Sequence, residues 1–252
     1  MVEIIPAIMP KSLDDFKEKA GFVYRLVKTV HVDVMNGTIT HSVNWPFSEI
    51  GLTELKKLTT GEIPLPHWKE IDFEVDVMME NPEENFADWV NAGFHRVIVH
   101  FENTKKLTEI IHEWKGIVEI GVAVGVDTPN DEVYKYIDEG VDFIQFMGIY
   151  QIGFQGNPID SRVYEKIKKA REVYPNLPIS VDGSVNMETA PLLIAAGANR
   201  LIIGSAIFNA QEEEHAVLDN YNYGEMVDLS EGNPTGNRAI EKAIKEFKKL
   251  TV

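Results

Sequence analysis

Short apolar runs alternate with helical spacing along almost the whole chain. Runs near 3–8, 28–35, 72–78, 95–101, 117–123, 142–147, 177–182 and 199–203 have the length and composition of strands. Between and after them, amphipathic stretches near 12–25, 50–58, 82–91, 104–113, 130–138, 160–173, 186–195 and 237–249 carry the 3.6-residue repeat of helices. Asn81-Pro82-Glu83-Glu84 and Thr128-Pro129-Asn130-Asp131 mark two helix starts with a proline and acids in the first turn. Alternating β and α elements imply parallel strands joined by right-handed crossovers. Eight such units in 252 residues predict the α/β class and one domain over 1–252, a closed (β/α)8 TIM barrel. A doubly wound open sheet is the rival fold, but no Gly-x-Gly-x-x-Gly follows the first strand.

Two segments interrupt the repeat. Residues 59–71, with Pro64, Pro66 and Trp68, form a long connection before the third strand. Residues 209–236 are acidic and rich in turn formers, and fall between the eighth strand and the last helix. A solvated surface excursion is the reading preferred for this insertion, with a lid or subunit contact as the other.

Composition narrows the partners. No apolar tract approaches the roughly 18 residues that would cross a membrane, and the N-terminus enters a strand pattern without a basic leader. Cysteine is absent, which excludes thiol chemistry and fits a cytoplasmic protein. The net charge of −16 argues against a nucleic acid partner. An anionic substrate would then need a local site built from backbone.

The candidate chemistry sits on strand faces. Side chains alternate along a strand, so His31, Asp33 and Met35 project to one side while Val30, Val32 and Val34 project to the other. The third strand repeats this arrangement, with Glu74, Asp76 and Met78 inward and Phe73, Val75 and Val77 toward helices. The seventh brings Asp182 inward at its end. His31, Asp33, Asp76 and Asp182 thus converge on the barrel mouth, where such folds carry chemistry, and suit one divalent ion: Zn, Mn or Fe(II), with Mg also admissible. Taken singly, a strand-end aspartate reads equally as a cap, and His31 as a hydrogen-bonded core residue. Glu74, one layer deeper, reads as the partner of a buried base or polar group. Met35, Met78 and Met147 read as a dry floor under the site or as gap-filling core.

The last three loops are rich in glycine: Gly153-Phe154-Gln155-Gly156, Gly183-Ser184 and Gly204-Ser205. Glycine lets backbone N–H groups approach a phosphate, and a helix starting near Ser205 would aim its positive end at it. Gly153, Phe154, Gly156, Gly183, Ser184, Gly204 and Ser205 are the predicted substrate and phosphate contacts.

At these residues the chain resembles the ribulose-phosphate 3-epimerase family, from the first strand to Phe208. His31 to Gly37 is similar to the family's His-x-Asp-Val-Met-Asp-Gly, and Asp76 to Pro82 to its His-Leu-Met-x-x-Asn-Pro. His100 matches its fourth-strand histidine, and Met147 with Gly153-Phe154 resembles its Met…Gly-Phe-Gly-Gly loop. Val181-Asp182-Gly183-Ser184 and Gly204-Ser205-Ala206-Ile207-Phe208 resemble Val-Asp-Gly-Gly and Gly-Ser-x-x-Phe. The resemblance implies a barrel of the ribulose-phosphate-binding type. It also implies that Asp33 and Asp182 form an acid–base pair on opposite faces of C3, hold the metal, and interconvert D-ribulose 5-phosphate and D-xylulose 5-phosphate through an enediolate. Members often form homo-oligomers; no contact face is legible here.

The departures fall around the acid–base pair. Asp76 stands where the family has a metal-ligating histidine, Ala7 where it has a serine, Asn36 where it has an aspartate, and Ser184 where it has a glycine. Ile149-Tyr150-Gln151-Ile152 replaces Val-Asn-Pro and is one residue longer. Two other functions remain as alternatives. One is a related sugar-phosphate aldolase, decarboxylase or isomerase; the hexulose-phosphate synthase type resembles Asp-x-Lys at the third strand, where this chain has Met78. The other is a barrel that binds a sugar phosphate without turnover.

Overall fold

A computed structural model describes residues 2–150, 152–153, 156–210 and 234–251, with backbone alone over 234–237. Eight parallel strands close into one barrel in sequence order: β1 Glu3–Ile8, β2 Thr29–Met35, β3 Asp72–Met78, β4 Arg96–His100, β5 Glu119–Val124, β6 Phe143–Met147, β7 Ile179–Asp182 and β8 Arg200–Ile203. The seam between first and last strands is paired like the others, from Glu3 opposite Arg200 to Pro6 opposite Ile203. The described helices are α1 Leu13–Val23, α2 Glu49–Thr59, α3 Phe86–Asn91, α4 Leu107–Trp114, α5 Asp131–Glu139, α6 Arg162–Val173, α7 Ala190–Ala196 and α8 Pro234–Lys249, with a further helical segment from Ser205. The predicted closed barrel and the order of its elements are those observed. Of the 209–236 insertion, 211–233 lie outside the described residues.

Local chemistry sets the helix ends. Ser12 caps α1 by accepting from the Asp15 amide at 3.1 Å, and Ser48 caps α2 by accepting from the Gly51 amide at 3.0 Å. Two predicted helices are shorter than expected. Asn81 is left-handed at φ 52°, and Pro82–Glu84 form only a 3₁₀ turn before Asn85 breaks the geometry and α3 begins. Ahead of α7, the side-chain Oδ1 of Asn186 accepts from the amides of Glu188 and Thr189, so 186–189 form a side-chain-stabilised turn and the helix starts at Ala190.

The apolar core is a sleeve between strands and helices. Val30, Val32 and Val34 of β2 and Phe73, Val75 and Val77 of β3 are buried in it, facing helices as their alternation predicts. On α8, Ile240, Ile244 and Phe247 share one face, and the helix packs against α1. Inside the barrel the apolar groups are few: Ile98, Ala123, Phe143 and Met147 on one side, and Ile5, Ala7 and Ile202 on another. Gly121 leaves room for Phe143, whose ring would lie 2.3 Å from any Cβ placed there. Met35 and Met78 add apolar bulk toward the C-terminal ends of β2 and β3, and most other buried interior groups are polar.

Candidate active site

β2 and β3 run in perfect register, His31 beside Glu74 and Asp33 beside Asp76. Because both strands point alternate residues inward, four polar side chains stack on the barrel wall. His31 is fully buried between carboxylates: Nδ1 lies 2.8 Å from Glu74 Oε1, and Nε2 lies 3.1 Å from Asp33 Oδ1 and 3.7 Å from Asp76 Oδ2. Burial favours a neutral imidazole, but the carboxylates of Asp33, Asp76 and Glu74 overcome it and hold its pKa well above the ordinary value.

Asp76 has two further partners. His100 Nε2 donates to Oδ1 at 3.0 Å from β4, and Gln145 Nε2 donates to Oδ2 at 2.8 Å from β6. Burial would raise the Asp76 pKa; His100 and His31 outweigh it and lower it. Burial likewise opposes charge on His100, and Asp76 raises its pKa regardless.

Beneath this layer lies a second polar one. Arg200 donates through Nη2 to Glu74 Oε2 and lies 4.5 Å from the centroid of the Phe143 ring. Its Nε reaches Glu3 Oε2 at 3.4 Å. Arg96 Nη1 lies 3.9 Å from Glu74 Oε2, and its Nε donates to Glu119 Oε2 at 2.5 Å. Burial pushes Glu74 up, but Arg200 and His31 bring its pKa down to about 2. The expected role of Glu74 as partner of a buried base is therefore the one observed.

Above the layer of His31 a cavity of about 530 Å³ opens at the C-terminal ends of the strands. Asp33 and Asp182 line it, with Met78, Met147, Gly153, Gly156, Gly183, Ser184, Gly204 and Ser205. His31 and Asp76 lie below its floor. Met35 is buried beside Gly153, where a Cβ would come within 3.4 Å of its Sδ, and Phe154 lies outside the described residues. The cavity has no lysine or arginine among its described lining residues.

Two residues shape the cavity wall at the end of β7. Gly183 is left-handed at φ 98°, which turns the chain at the end of β7. Ser184 follows at φ 56°, unusual for a residue with a side chain, and its hydroxyl donates to the Asn157 carbonyl of the loop after β6.

Of the two carboxyl groups in the cavity, Asp33 meets His31, and neither is paired with a lysine or arginine among the described residues. Burial pushes the Asp33 pKa up against the pull of His31. Burial, then the charge of Asp33, pushes Asp182 up to about 7.

A divalent ion fits the donor set. His31, Asp33 and Asp76 each offer a ligand atom within 4.8 Å of the others, and all three are buried. Glu74 holds His31 by Nδ1 and leaves Nε2 toward the carboxylates, as at histidine metal ligands. Of the four predicted ligands, Asp182 stands outside this group of three. Sequence reasoning gave no role to His100, Gln145, Arg96 or Arg200. The signal for two of them was present: His100 ends the inward face of β4, and Gln145 interrupts the apolar run of β6.

Comparison with known proteins follows the same residues. A profile described as the Ribulose-phosphate 3 epimerase family matches residues 3–208. The chain is 28% identical to the ribulose-phosphate 3-epimerase of Bacillus subtilis (strain 168), over 87% of this chain and 98% of that one. It is 30% identical to that of Chlamydia pneumoniae, over 77% and 84%. Among solved structures it is similar to 3-hexulose-6-phosphate synthase from Salmonella typhimurium, with a TM-score of 0.57 at 16% identity over 97% and 99% of the two chains. It is also similar to KGPDC from Streptococcus mutans, with 0.60 at 14% identity over 98% and 99%. At such identities these two likenesses concern the fold alone.

Proposed function

The chain belongs to the ribulose-phosphate 3-epimerase family, and on that premise we propose that it is a metal-dependent epimerase of a ketose phosphate. Its substrate pair on this reading is D-ribulose 5-phosphate and D-xylulose 5-phosphate, interconverted at C3. The observation that carries the proposal is that Asp33 and Asp182, from β2 and β7, line one cavity with both carboxyl pKa values pushed up. One, as carboxylate, takes the C3 proton; the other, as acid, returns a proton to the opposite face. A pKa near the working pH serves both duties, and Asp182 at about 7 meets that need.

His31, Asp33 and Asp76, with Asp182, are the residues that would hold a divalent ion. When bound, the ion supplies positive charge that steadies the negative charge building on the substrate oxygens. Glu74 fixes the ring of His31 from below, and His100 with Gln145 fixes the carboxylate of Asp76. Met78 and Met147 exclude water from the floor beneath the reacting carbon. The phosphate is received by main-chain N–H groups at Gly183–Ser184 and Gly204–Ser205, where the chain turns helical, so no basic side chain is required. Gly153, Phe154 and Gly156 belong to the loop assigned to the same end of the substrate.

The test follows the C3 proton directly. Metal-loaded protein is incubated with ribulose 5-phosphate in D2O and monitored by NMR. Exchange at C3 with formation of xylulose 5-phosphate is expected, and both are expected to vanish in Asp33→Asn and Asp182→Asn. No exchange with Zn, Mn, Fe(II) or Mg rejects this substrate.

A further inference from the structure

The donor atoms below the cavity floor are one imidazole nitrogen and a set of carboxylate oxygens. His31 is the single histidine in the group of three that shares a 4.8 Å radius. The other buried histidine nearby, His100, is not one of the three: its Nε2 is spent on Asp76 Oδ1, at 3.0 Å. Adding Asp182, the fourth residue assigned to the ion, adds only more oxygen. Imidazole and thiolate sites suit Zn²⁺, whereas carboxylates, carbonyls and water suit Mg²⁺ and Mn²⁺.

We infer that Asp76, braced by His100 and Gln145, tunes this site toward a hard six-coordinate cation, Mn²⁺ or Mg²⁺, narrowing the advantage that Zn²⁺ ordinarily holds. The inference rests on the metal-dependent reading above and specifies its ion. Asp76 cannot rotate, because each of its oxygens is held by a donor from a different strand, 3.0 Å from β4 and 2.8 Å from β6. Oδ2 is the oxygen nearer His31 Nε2, at 3.7 Å, while Oδ1 faces His100. Asp76 therefore offers one oxygen to an ion beside His31. Single-oxygen ligation suits a small ion with near-octahedral geometry; Ca²⁺ favours more oxygens and two-oxygen carboxylate ligation. Two hydrogen bonds into the carboxylate also draw charge from its oxygens, so Asp76 binds through charge more than through electron donation. On the buried side the donors leave no path for water, since His31, Glu74, Asp76 and Gln145 are all fully buried. Asp33, which lines the cavity, is the group through which an ion held here would be reached by water or substrate oxygens.

The test is equilibrium metal binding on the full chain, independent of turnover. Mn²⁺ and Zn²⁺ affinities are measured by competitive titration, and bound Mn²⁺ is examined by electron paramagnetic resonance. In the unmodified protein the Mn²⁺ signal should be that of one six-coordinate site per chain. Asp76→His should raise the Zn²⁺-to-Mn²⁺ affinity ratio roughly 10- to 100-fold. Asp76→Asn, which keeps the shape but removes the anion, should weaken Mn²⁺ at least about tenfold, and His100→Gln should weaken it by a similar factor. An affinity ratio unchanged in Asp76→His, with Mn²⁺ still bound to the unmodified protein, would overturn this inference and leave the metal-dependent reading standing. Failure of the unmodified protein to bind any divalent ion would overturn both. Equal Mn²⁺ affinity in Asp76→Asn would remove Asp76 from the ligand set and overturn the inference by a second route.

Discussion

The barrel interior contains two polar layers with opposite solutions to buried charge. In the lower one, Glu74 faces Arg200 and Arg96, and Glu3 and Glu119 face the same two arginines. In the upper one, the basic groups near Asp33, Asp76 and Asp182 are the imidazoles of His31 and His100, with no arginine or lysine paired to them among the described residues. Glu74 is held down to about 2 by arginine, and Asp76 is held low by its two histidines, while Asp182, away from any such partner, rises to about 7. Arginine cannot give up its charge under ordinary conditions, so the lower layer is fixed. Histidine and aspartate can exchange protons, and a cation can take a proton's place between them. On the proposed reading, the difference marks where structural support ends and chemistry begins. His31 belongs to both layers, with one nitrogen on Glu74 and the other on Asp33.

Substitutions in each layer should therefore fail differently. The largest loss of stability is expected from Arg200→Met, which leaves Glu74 and Glu3 without their shared cation. Breaking a buried pair on one side costs about 3–5 kcal/mol, and urea unfolding of the metal-free protein measures it. Asp182→Asn should do the reverse, lowering turnover by roughly 10²- to 10⁴-fold while leaving the unfolding midpoint unchanged or higher. A large loss of stability in Asp182→Asn would erase the distinction between the layers.

The pH dependence of stability gives a sharper comparison. The folded pKa of Glu74 lies below its unfolded value of 4.5, so its contribution is fully present above pH 4.5 and is lost as pH falls toward about 2. At about 1.4 kcal/mol per pH unit, that gap corresponds to about 3 kcal/mol. The difference in stability between metal-free wild type and Glu74→Gln should grow across this window and stay flat above it. The smallest effect is expected at the mouth. Ser184→Gly relieves a left-handed serine and removes its hydroxyl bond to Asn157, two terms of about 1 kcal/mol each and of opposite sign. Thermal unfolding should move by less than the equivalent of about 1 kcal/mol, whereas the KM for a phosphorylated substrate should rise if the hydroxyl holds the loop over the cavity.

Period and punctuation made the frame legible from sequence. Val30, Val32 and Val34 against His31, Asp33 and Met35 gave the faces of β2, and the same alternation on β3 and the end of β7 placed the inward carboxylates. The glycines after β6, β7 and β8 marked the loops that line the cavity. What alternation does not encode is which residues meet across a closed ring. Asp76 pairs in the ladder with Ile98, yet its carboxylate reaches His100 two residues further along β4. Gln145 reaches it from β6, 69 positions away. Such contacts depend on the stagger of the closed barrel, which no single strand states. Helical spacing over 82–91 and 186–195 runs past the true starts of α3 and α7 for a more local reason: side-chain and proline turns precede both helices and share their polarity.

Arg200 also bears on the order in which the chain can mature. It lies on β8, and the carboxylate it neutralises lies on β3, 126 positions earlier. During synthesis, four whole strands, β4 to β7, emerge between Glu74 and Arg200, and for that interval Glu74 lacks its principal counter-charge. A partial barrel that buried this carboxylate early would oppose its own collapse. The ion pair thus penalises premature compaction and rewards the arrival of the last strand beside the first, so the support beneath His31 is completed only when the ring is.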